Sequence, residues 1–398
     1  MAKLNVVQYY WKFDPLNIGG VEAHIASLVH SLDKKVKYSI ISTKLQGQRE
    51  KETFFSAKVF RVGPNKVEGV NYANSLLDVY LNESAREKNK LAVFEKLDFD
   101  LIHLHGPVNY SNSVLGGPLF TFDYLKQSWL KQKKPKIMTF HGLPSVVLKE
   151  KYNRGFANGY FNLWKRIEEQ NIKDCDKIIC VDKYVVDDLS SRGLTDKIEF
   201  IPNGIDLKKF SPLNKLKARK IVQNKFGQIF SDSITFLYSN RLSKEKGIDD
   251  VLELSKSKLD FKIIISGSGP FESEVKEICD KDNRFIFIGS VGNEAVSVLM
   301  NSCDFVLTPL HHPGATRTNI EAIATNTPVI TTLLHNRYPV INGKNGIVYN
   351  SSKSLTSVIE SVIKSEPQYN SFSFNAKKDF DLKKISSKIY KVYKELLY

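Results

Sequence analysis

Short apolar runs alternate along the chain with stretches in which apolar residues recur at helical spacing. The run Ile263–Ile265 has the length of a strand, whereas Val21, Ile25 and Leu28 follow the spacing of one helical face. Alternation of these two patterns is typical of βαβ units that build a parallel sheet. The pattern therefore predicts an α/β fold.

The runs with strand character fall into two series, one in each half of the sequence. The first series comprises Leu4–Tyr10, Tyr38–Thr43, Leu101–Leu104, Lys136–Phe140, Lys177–Val181 and Ile198–Ile201. The second series comprises Ile234–Tyr238, Phe261–Ser266, Arg284–Ile288, Phe305–Thr308, Pro328–Thr331 and Gly346–Tyr349. Because each series can close its own sheet, the sequence predicts two Rossmann-like domains.

A turn-prone tripeptide, Pro202-Asn203-Gly204, separates the two series and marks the predicted domain boundary. Two domains are also expected because 398 residues exceed what one hydrophobic core usually supports. We predict an N-terminal domain over residues 1–203 and a C-terminal domain over residues 204–374. A last amphipathic stretch, Leu382–Leu397, predicts a helix at the end of the sequence.

The composition is that of a globular protein, 42% hydrophobic and 11% aromatic. No apolar run approaches the roughly 20 residues that a membrane-spanning helix needs. Met1–Trp11 has the pattern of a strand and lacks the layout of a signal peptide. The 4 cysteines show no CxxC spacing, which fits a reducing compartment, so we expect a cytoplasmic protein.

A net charge of +15 predicts attraction to a negatively charged partner. The excess lies in two clusters, one with Lys126, Lys131, Lys133, Lys134 and Lys136 and one with Lys208, Lys209, Lys215, Lys217, Arg219, Lys220 and Lys225. Two interpretations stay open: an ordinary solvated surface, or a patch that rests on anionic lipid or a phosphorylated acceptor. A nucleic-acid-binding protein would rest on charge alone, and we do not expect nucleic acid as a partner.

The first candidate binding element is the pair Gly19-Gly20, which lies between a predicted strand and a predicted helix. Paired glycines let the backbone approach a ligand, and a helix N-terminus presents N–H groups to an anion. No GxGxxG fingerprint follows, so a dehydrogenase is disfavoured. An ordinary turn is the alternative interpretation of this pair.

The second half carries two cations and a carboxylate near the carboxyl ends of its strands. Arg241 directly follows a strand and Lys246 lies in the same loop. Ligands bind at this edge of open α/β sheets, and two cations there could neutralise a leaving diphosphate without a metal ion. Glu321 is expected in the first turn of a helix over Ile320–Thr325, where it could accept hydrogen bonds from ribose hydroxyls. Taken singly, each residue would also suit a solvated loop or a helix start.

Taken together, these motifs resemble those of glycosyltransferase family 4, whose members are retaining enzymes of the GT-B fold. The matching segments are Gly19-Gly20, His141-Gly142, Ile201-Pro202-Asn203-Gly204-Ile205-Asp206, Arg241 with Lys246-Gly247, Gly267-Ser268-Gly269-Pro270, and Glu321-Ala322-Ile323-Ala324 with Pro328-Val329-Ile330. Each motif is weak alone, but the ordered set spans nearly the whole chain. The resemblance implies two Rossmann-like domains that face each other across a cleft, with residues 375–398 crossing back to the N-terminal domain.

The resemblance also implies roles for individual residues. Gly19 and Gly20 would lie near the donor diphosphate, His141 would contact the donor sugar, and Glu321 would bind the ribose. The predicted donor-binding set comprises Gly19, Gly20, Arg241, Lys246, Thr316, Arg317, Thr318 and Glu321, and the predicted catalytic set comprises His141, Arg241 and Lys246. No metal and no cofactor are expected, since the nucleotide sugar is a co-substrate.

One position departs from the pattern of the family. Members usually carry a glutamate that contacts hydroxyls of the donor sugar where this chain has Pro313. Three explanations stay open: an unusual donor sugar, contact through backbone N–H groups or Arg317, or a weakened enzyme.

Other signals for metal binding are weak. Asp98-Phe99-Asp100, Asp280-Lys281-Asp282 and Asp379-Phe380-Asp381 each spell DxD, but they border strands or open a helix and are interpreted as polar turns or helix starts. His103 and His105 point to one face of a strand, where a metal would need a third ligand that the sequence does not identify. We interpret that pair as lining for the acceptor, and His311-His312 as lining of the donor loop.

The predicted activity is retaining transfer of a hexose from a UDP- or GDP-linked sugar to a hydroxyl of a glycan or lipid-linked glycan. The basic clusters favour an acceptor at the cytoplasmic membrane face, with peripheral attachment of the enzyme. A non-catalytic nucleotide-sugar-binding subunit and a nucleotide-sugar epimerase on the same fold remain alternatives. The epimerase would need acidic and histidine groups around the sugar that the sequence does not place.

Overall fold

The protein separates into two compact units, each built around a β-sheet. The N-terminal unit comprises Met1–Gly204 with Lys383–Tyr398, and the C-terminal unit comprises Ile205–Leu382. The computed structural model describes residues 2–10, 13–14, 19–44, 48–63, 88–106, 128–151, 157–227, 229–314, 317–334, 338–350, 353–365 and 379–398. The predicted division lay between residues 203 and 204, and the last segment was predicted to start at residue 375, where the structure assigns it from Lys383 onward.

The N-terminal unit contains an 8-stranded sheet in the order β3-β4-β2-β1-β5-β6-β7-β8. Its strands are β1 (Leu4–Tyr9), β2 (Val36–Thr43), β3 (Lys51–Phe54), β4 (Ala57–Val62), β5 (Leu101–His105), β6 (Lys136–Phe140), β7 (Lys177–Cys180) and β8 (Ile198–Phe200). Neighbouring strands are parallel except for the antiparallel pair β3–β4 at the edge. The pair β3–β4 was not predicted, and the other strands lie within two residues of their predicted bounds.

Helices cover the two faces of this sheet. They include α1 (Gly20–Ser31), α2 (Pro144–Lys151), α3 (Ala157–Asp174) and α4 (Lys183–Ser191). On one face, Ile25 and Leu28 of α1 pack on β-strand residues such as Val6 and Ile40. Near-continuous burial along β1, β2 and β5 reflects this two-sided cover, even though each strand also carries polar residues.

The C-terminal unit contains a 6-stranded sheet in the order β11-β10-β9-β12-β13-β14. Its strands are β9 (Thr235–Ser239), β10 (Lys262–Ser266), β11 (Phe285–Phe287), β12 (Phe305–Thr308), β13 (Val329–Leu333) and β14 (Gly346–Asn350), all paired in parallel. The surrounding helices are α5 (Lys215–Phe226), α6 (Ile248–Glu253), α7 (Glu272–Lys281), α8 (Asn293–Ser302), α9 (Arg317–Ala324) and α10 (Leu355–Lys364).

The last helix, α11 (Leu382–Glu395), packs in the core of the N-terminal unit. Its buried stripe contains Ile385, Ile389 and Val392, the positions that the helical spacing of the sequence assigns to one face. Ser31 and Ser386 join α1 to α11 through hydroxyl oxygens 2.5 Å apart.

Both sheets have a point at which the strand order reverses. In the N-terminal sheet the chain leaves β1 toward β2 and later returns to its other side with β5, and in the C-terminal sheet β9 has the same position between β10 and β12. Loops that follow the two central strands diverge there and leave room for a ligand at the carboxyl edge. The α/β prediction is confirmed, and the candidate residues lie at these two edges. In the part of the chain that the structure describes, every helix is too short or too polar to cross a bilayer.

Candidate active site

Gly19 and Gly20 lie at the start of α1, the helix that follows β1. Gly19 is the N-cap residue of α1, and it makes no side-chain capping hydrogen bond. A Cβ atom at Gly19 would lie 2.7 Å from Oε2 of Glu22, whereas a Cβ at Gly20 would meet nothing within 4 Å. The atom in the way is the tip of the flexible Glu22 side chain, which can move aside, so this contact does not require glycine at position 19, and space remains open beside Gly20.

Three histidines converge at the carboxyl edge of the N-terminal sheet. His105 ends β5, His141 directly follows β6, and His24 lies on the second turn of α1. Nδ1 of His105 and Nε2 of His141 are 3.3 Å apart, and the ring of His24 lies edge-on to both neighbouring rings. Nδ1 of His24 is 2.9 Å from Oδ1 of Asn203, which belongs to the turn that closes this unit. Parallel strand ends and one helix thus bring the imidazoles into one cluster.

Burial determines the charge of this cluster. It lowers the pKa of His141 and of His105 well below the ordinary value of a histidine, and the neighbouring imidazoles lower both further. At neutral pH these rings are therefore uncharged. A neutral imidazole can donate one hydrogen bond and accept one, which is the capability that contact with a sugar hydroxyl requires.

His103 has a structural role instead of the predicted place in the lining of the acceptor site. Its ring is fully buried, with Nδ1 at 2.6 Å from the hydroxyl of Tyr393 and Nε2 at 2.7 Å from the hydroxyl of Thr139. Burial first, and the neighbouring His24 second, lower its pKa to about 3. The interpretation of His103 as an acceptor contact was wrong because β5 is covered on this face by α11.

The C-terminal unit places Arg241 and Lys246 in the loop after β9. Arg241 is exposed, and Lys246 ends a short 3₁₀ helix, Lys244–Lys246. Nζ of Lys246 lies 2.9 Å from Nε2 of His312. Nδ1 of His312 lies 2.7 Å from the carbonyl oxygen of Pro313, so Nδ1 carries the proton and Nε2 accepts from Lys246. His312 thus orients the ammonium group of Lys246.

The neighbouring His311 belongs to a second contact between the same two loops. Its Nε2 atom is 2.8 Å from Oδ2 of Asp250, and its backbone N–H donates to the carbonyl oxygen of Glu245. The hydrogen bond to Asp250 raises the pKa of His311, with burial opposing it. The loop after β12 is thereby fastened to the loop after β9.

Glu321 lies in the second turn of α9, because that helix begins at Arg317 and not at Ile320 as predicted. Oε1 of Glu321 accepts a hydrogen bond of 2.7 Å from Nε of Arg317, an (i, i+4) pair along the helix. Burial raises the pKa of Glu321, and the Arg317 guanidinium opposes this shift. The predicted direct contact of Arg317 with a donor sugar has to compete with this ion pair.

Thr318 is used inside the C-terminal unit. Its hydroxyl donates to the carbonyl oxygen of Ser239 and to Oδ1 of Asn240, at 3.3 and 3.2 Å, and so ties α9 to the end of β9. Thr316, another predicted donor contact, lies outside the described residues. Pro313 and Gly314 lie within them, with Gly314 at φ +86°.

Among the described residues, two groups bring three possible metal-binding side chains within 4.8 Å of one another: His24 with His105 and His141, and Asp249 with Asp250 and His311. Sequence reasoning missed His24, since only the packing of α1 on the sheet brings it to the strand ends. The DxD segments have structural contacts: Asp100 accepts from the backbone N–H of Asn5, and Asp282 pairs with Arg284.

Comparison with known proteins identifies relatives over most of the chain. The family model described as Glycosyltransferase Family 4 matches residues 18–209, and the model described as Glycosyl transferases group 1 matches residues 220–379. The chain is 24% identical over 328 residues to alpha-monoglucosyldiacylglycerol synthase of Acholeplasma laidlawii, which covers 78% of each chain. It is 26% identical over 253 residues to the Streptococcus pneumoniae protein of the same name, covering 60% of this chain and about half, 53%, of that relative.

Solved structures resemble the whole chain. Sucrose-phosphate synthase from Thermosynechococcus elongatus matches with a TM-score of 0.77 at 18% identity, covering 99% of both chains. HepE of Anabaena in complex with UDP-glucose matches with a TM-score of 0.70 at 15% identity, covering 98% of this chain and 100% of that one. These likenesses confirm the predicted GT-B fold.

Proposed function

Because the chain belongs to glycosyltransferase family 4, we propose that it transfers a hexose from a UDP- or GDP-linked sugar to a hydroxyl of a lipid or lipid-linked glycan. The observation that carries this proposal is the arrangement around Lys246. Two cations, Arg241 and Lys246, follow the central strand of the C-terminal sheet, and the buried carboxylate of Glu321 lies on the helix after β12. A nucleoside diphosphate offers the two groups that these residues suit, an anionic diphosphate and a ribose diol.

In the proposed reaction, Arg241 and Lys246 bind the diphosphate and stabilise the charge that develops on it when the glycosidic bond breaks. The N-terminus of α1 at Gly20 offers backbone N–H groups that suit an anion. Two side-chain cations can neutralise a diphosphate without Mg²⁺, so transfer needs no metal ion. His141 contacts the donor sugar as a neutral imidazole, because burial lowers its pKa.

The acceptor hydroxyl attacks from the face of the leaving group, and the configuration at the sugar carbon is retained. Pro313 leaves the donor loop without a carboxylate at the position where the family usually has one. His312, held between Lys246 and the Pro313 carbonyl, is the polar side chain beside that position. We propose that backbone N–H groups of this loop contact the sugar hydroxyls in place of the carboxylate.

The acceptor proposal rests on charge and on two relatives named as glucosyldiacylglycerol synthases. Lys131, Lys133 and Lys134 are exposed at the end of the N-terminal unit's 3₁₀ helix, Ser128–Lys131, and in the turn after it. Basic residues near an anionic bilayer contribute about 1 kcal/mol each. In the second cluster, Lys215 and Arg219 pair with Asp304, so part of that cluster is structural.

A thermal-shift screen with UDP, GDP, ADP and their glucose and mannose conjugates tests the donor proposal. A ligand at 100 times its dissociation constant adds about 2.7 kcal/mol of apparent stability. We expect a shift with one nucleotide that is lost in Arg241→Ala, Lys246→Ala and Glu321→Ala. Lys244→Ala is the matched control, since Lys244 is an exposed lysine of the same 3₁₀ helix.

No shift with any nucleotide, or a shift that survives all three substitutions, would overturn the donor proposal. Binding of the nucleotide sugar without release of free nucleotide in the presence of lipid acceptors would favour a non-catalytic binding subunit instead. The missing carboxylate at position 313 is the observation behind that second candidate function.

Flotation with vesicles of neutral lipid plus phosphatidylglycerol tests the acceptor surface. We expect the triple variant Lys131→Gln, Lys133→Gln and Lys134→Gln to lose most of its vesicle association. The triple variant Lys256→Gln, Lys276→Gln and Lys281→Gln changes the net charge equally and removes exposed lysines from the C-terminal unit. Equal association of both variants would contradict an acceptor-side membrane patch.

A further inference from the structure

The cluster of His24, His105 and His141 has the composition of a transition-metal site. Its three side chains come from three different elements, namely α1, the end of β5 and the residue after β6. One nitrogen from each ring lies within 4.8 Å of the other two. Rigid, packed elements hold all three rings, so little side-chain entropy would be lost on coordination.

The spacing of the nitrogens agrees with tetrahedral coordination. Two imidazole nitrogens bound to one Zn²⁺ at about 2.0–2.1 Å lie roughly 3.3 Å apart at the tetrahedral angle. Nδ1 of His105 and Nε2 of His141 are 3.3 Å apart. The ring centroids are separated by 5.0 Å for His24 and His141 and by 5.6 Å for each of the other two pairs. Three rings thus surround one point at similar distances.

One polar feature of the cluster points to a bound ion. Nδ1 of His24 is held at 2.9 Å by Oδ1 of Asn203, and an amide oxygen only accepts, so Nδ1 carries the proton and Nε2 keeps its lone pair. A hydrogen bond of this kind is the usual support of a metal-binding histidine.

We propose that His24, His105 and His141 bind one transition-metal ion of the Zn²⁺ class, with Asn203 as the supporting hydrogen-bond acceptor. A set of three imidazoles suits Zn²⁺, Co²⁺, Ni²⁺ or Cu²⁺ and is unsuited to Mg²⁺ or Ca²⁺, which prefer oxygen. Three protein ligands leave a fourth position for water.

The site has a consequence for the proposed function, on which this step rests. His141 is the residue proposed to contact the donor sugar, and coordination of its Nε2 atom withdraws that lone pair from hydrogen bonding. A bound ion therefore inhibits transfer, and the reaction itself uses no metal. Micromolar Zn²⁺ is expected to act as a reversible inhibitor that a chelator removes.

Co²⁺ titration of the full chain at pH 7.5 tests the site directly, since tetrahedral Co²⁺ has an intense visible absorption that octahedral Co²⁺ lacks. We expect one ion per chain, displaced by Zn²⁺. His24→Gln and His105→Gln are expected to abolish the absorption, and Asn203→Ala to weaken binding by about 10- to 100-fold. His311→Gln, which removes a ligand from the second group with Asp249 and Asp250, is the control and should leave the absorption unchanged.

Absence of a visible spectrum in the wild-type chain would overturn the proposal, and so would a spectrum that His311→Gln removes and His24→Gln retains. Circular dichroism identifies any variant that fails to fold. If a histidine variant does not fold, Asn203→Ala decides the question, because it keeps all three imidazoles and is expected to reduce the affinity for Co²⁺. The titration needs no donor and no acceptor. A failed nucleotide screen with intact Co²⁺ binding would therefore reject the proposed function alone, and the reverse result would reject the metal site alone.

Discussion

Glu168 and Arg192 form a buried ion pair in the N-terminal unit. Nη1 of Arg192 lies 2.7 Å from Oε2 of Glu168, and the two side chains are 8% and 0% exposed. The backbone N–H and the hydroxyl of Ser145 also donate to this carboxylate, so α2, α3 and the residue after α4 meet at one group. Burial raises the pKa of Glu168, and its hydrogen-bond donors oppose the shift.

Arg192→Met is expected to reduce the free energy of unfolding of the N-terminal unit by about 3–5 kcal/mol, because it leaves a buried carboxylate without its cation. Lys391→Met, which breaks an exposed pair with Glu395, should cost less than about 1 kcal/mol. All 3 tryptophans of the sequence fall in the N-terminal unit, so urea unfolding followed by tryptophan fluorescence reports on this unit. Equal losses in the two variants would show that the buried pair is not needed.

The candidate site could be predicted from the sequence wherever a residue closely follows a strand. His141 directly follows β6 and Arg241 lies two residues after β9, so the end of a strand fixes which edge of the sheet each occupies. Glu321 was misplaced by one helical turn, since the residues before Ile320 carry no apolar repeat that would extend the helix to Arg317. His24 was missed because its neighbours come from β5 and β6, far along the chain, and no local pattern encodes that meeting.

At the scale of elements, Gly247 joins the 3₁₀ helix Lys244–Lys246 to α6. Its φ angle is +71°, and a Cβ atom there would lie 1.7 Å from the carbonyl oxygen of Pro309. The 3₁₀ helix and the loop after β12 approach each other so closely that only glycine fits. This contact holds Lys246 beside His312.

Gly247→Ala is therefore expected to lower the free energy of unfolding of the C-terminal unit by more than about 2 kcal/mol, and to weaken nucleotide binding as the loops separate. Gly343→Ala measures the cost of a positive φ angle alone, since the φ angle of Gly343 is a similar +74° and nothing lies within 4 Å of the added Cβ atom. That control should cost about 1 kcal/mol. Urea unfolding followed by circular dichroism measures both, and equal costs would contradict the close approach at Pro309.

Parallel strands such as β10 and β12 could be predicted because burial on both faces gives short apolar runs. The hairpin β3–β4 could not be recognised in that way. The residues of β3 alternate between exposed and half-buried, and those of β4 alternate only in its first half. The two-residue turn contains Phe55 at φ +51°, where glycine or asparagine would have signalled a turn. Phe55 is also 62% exposed, so its apolar side chain masks the turn in the sequence.

At the scale of the whole molecule, each unit has its own sheet and core, so the two respond to pH through different groups. The N-terminal unit contains His103, His105 and His141 with pKa values below the ordinary value, while the C-terminal unit contains His311 with a raised pKa. Groups of the first kind favour the folded state at neutral pH, and a group of the second kind favours it in acid. Because the pKa values of its histidines are lowered, the N-terminal unit is expected to lose their contribution to its stability on acidification.

The unfolded chain binds a proton on each buried histidine of the N-terminal unit below about pH 6.5, whereas the folded chain does not until a much lower pH. Their contribution to stability is therefore fully present above pH 6.5 and is lost as the pH falls, for His103 down to its pKa of about 3. Each such histidine removes about 1.4 kcal/mol of stability per pH unit once the unfolded chain is protonated.

His103→Gln should reduce the slope of the free energy of unfolding against pH, between pH 6 and pH 5, by about this amount, whatever it does to stability at pH 7.5. His30→Gln, at an exposed position of α1, is the matched control. Tryptophan-detected urea unfolding at each pH measures the slopes, and a slope unchanged by His103→Gln would mean that this ring is protonated in the folded chain or already neutral in the unfolded one.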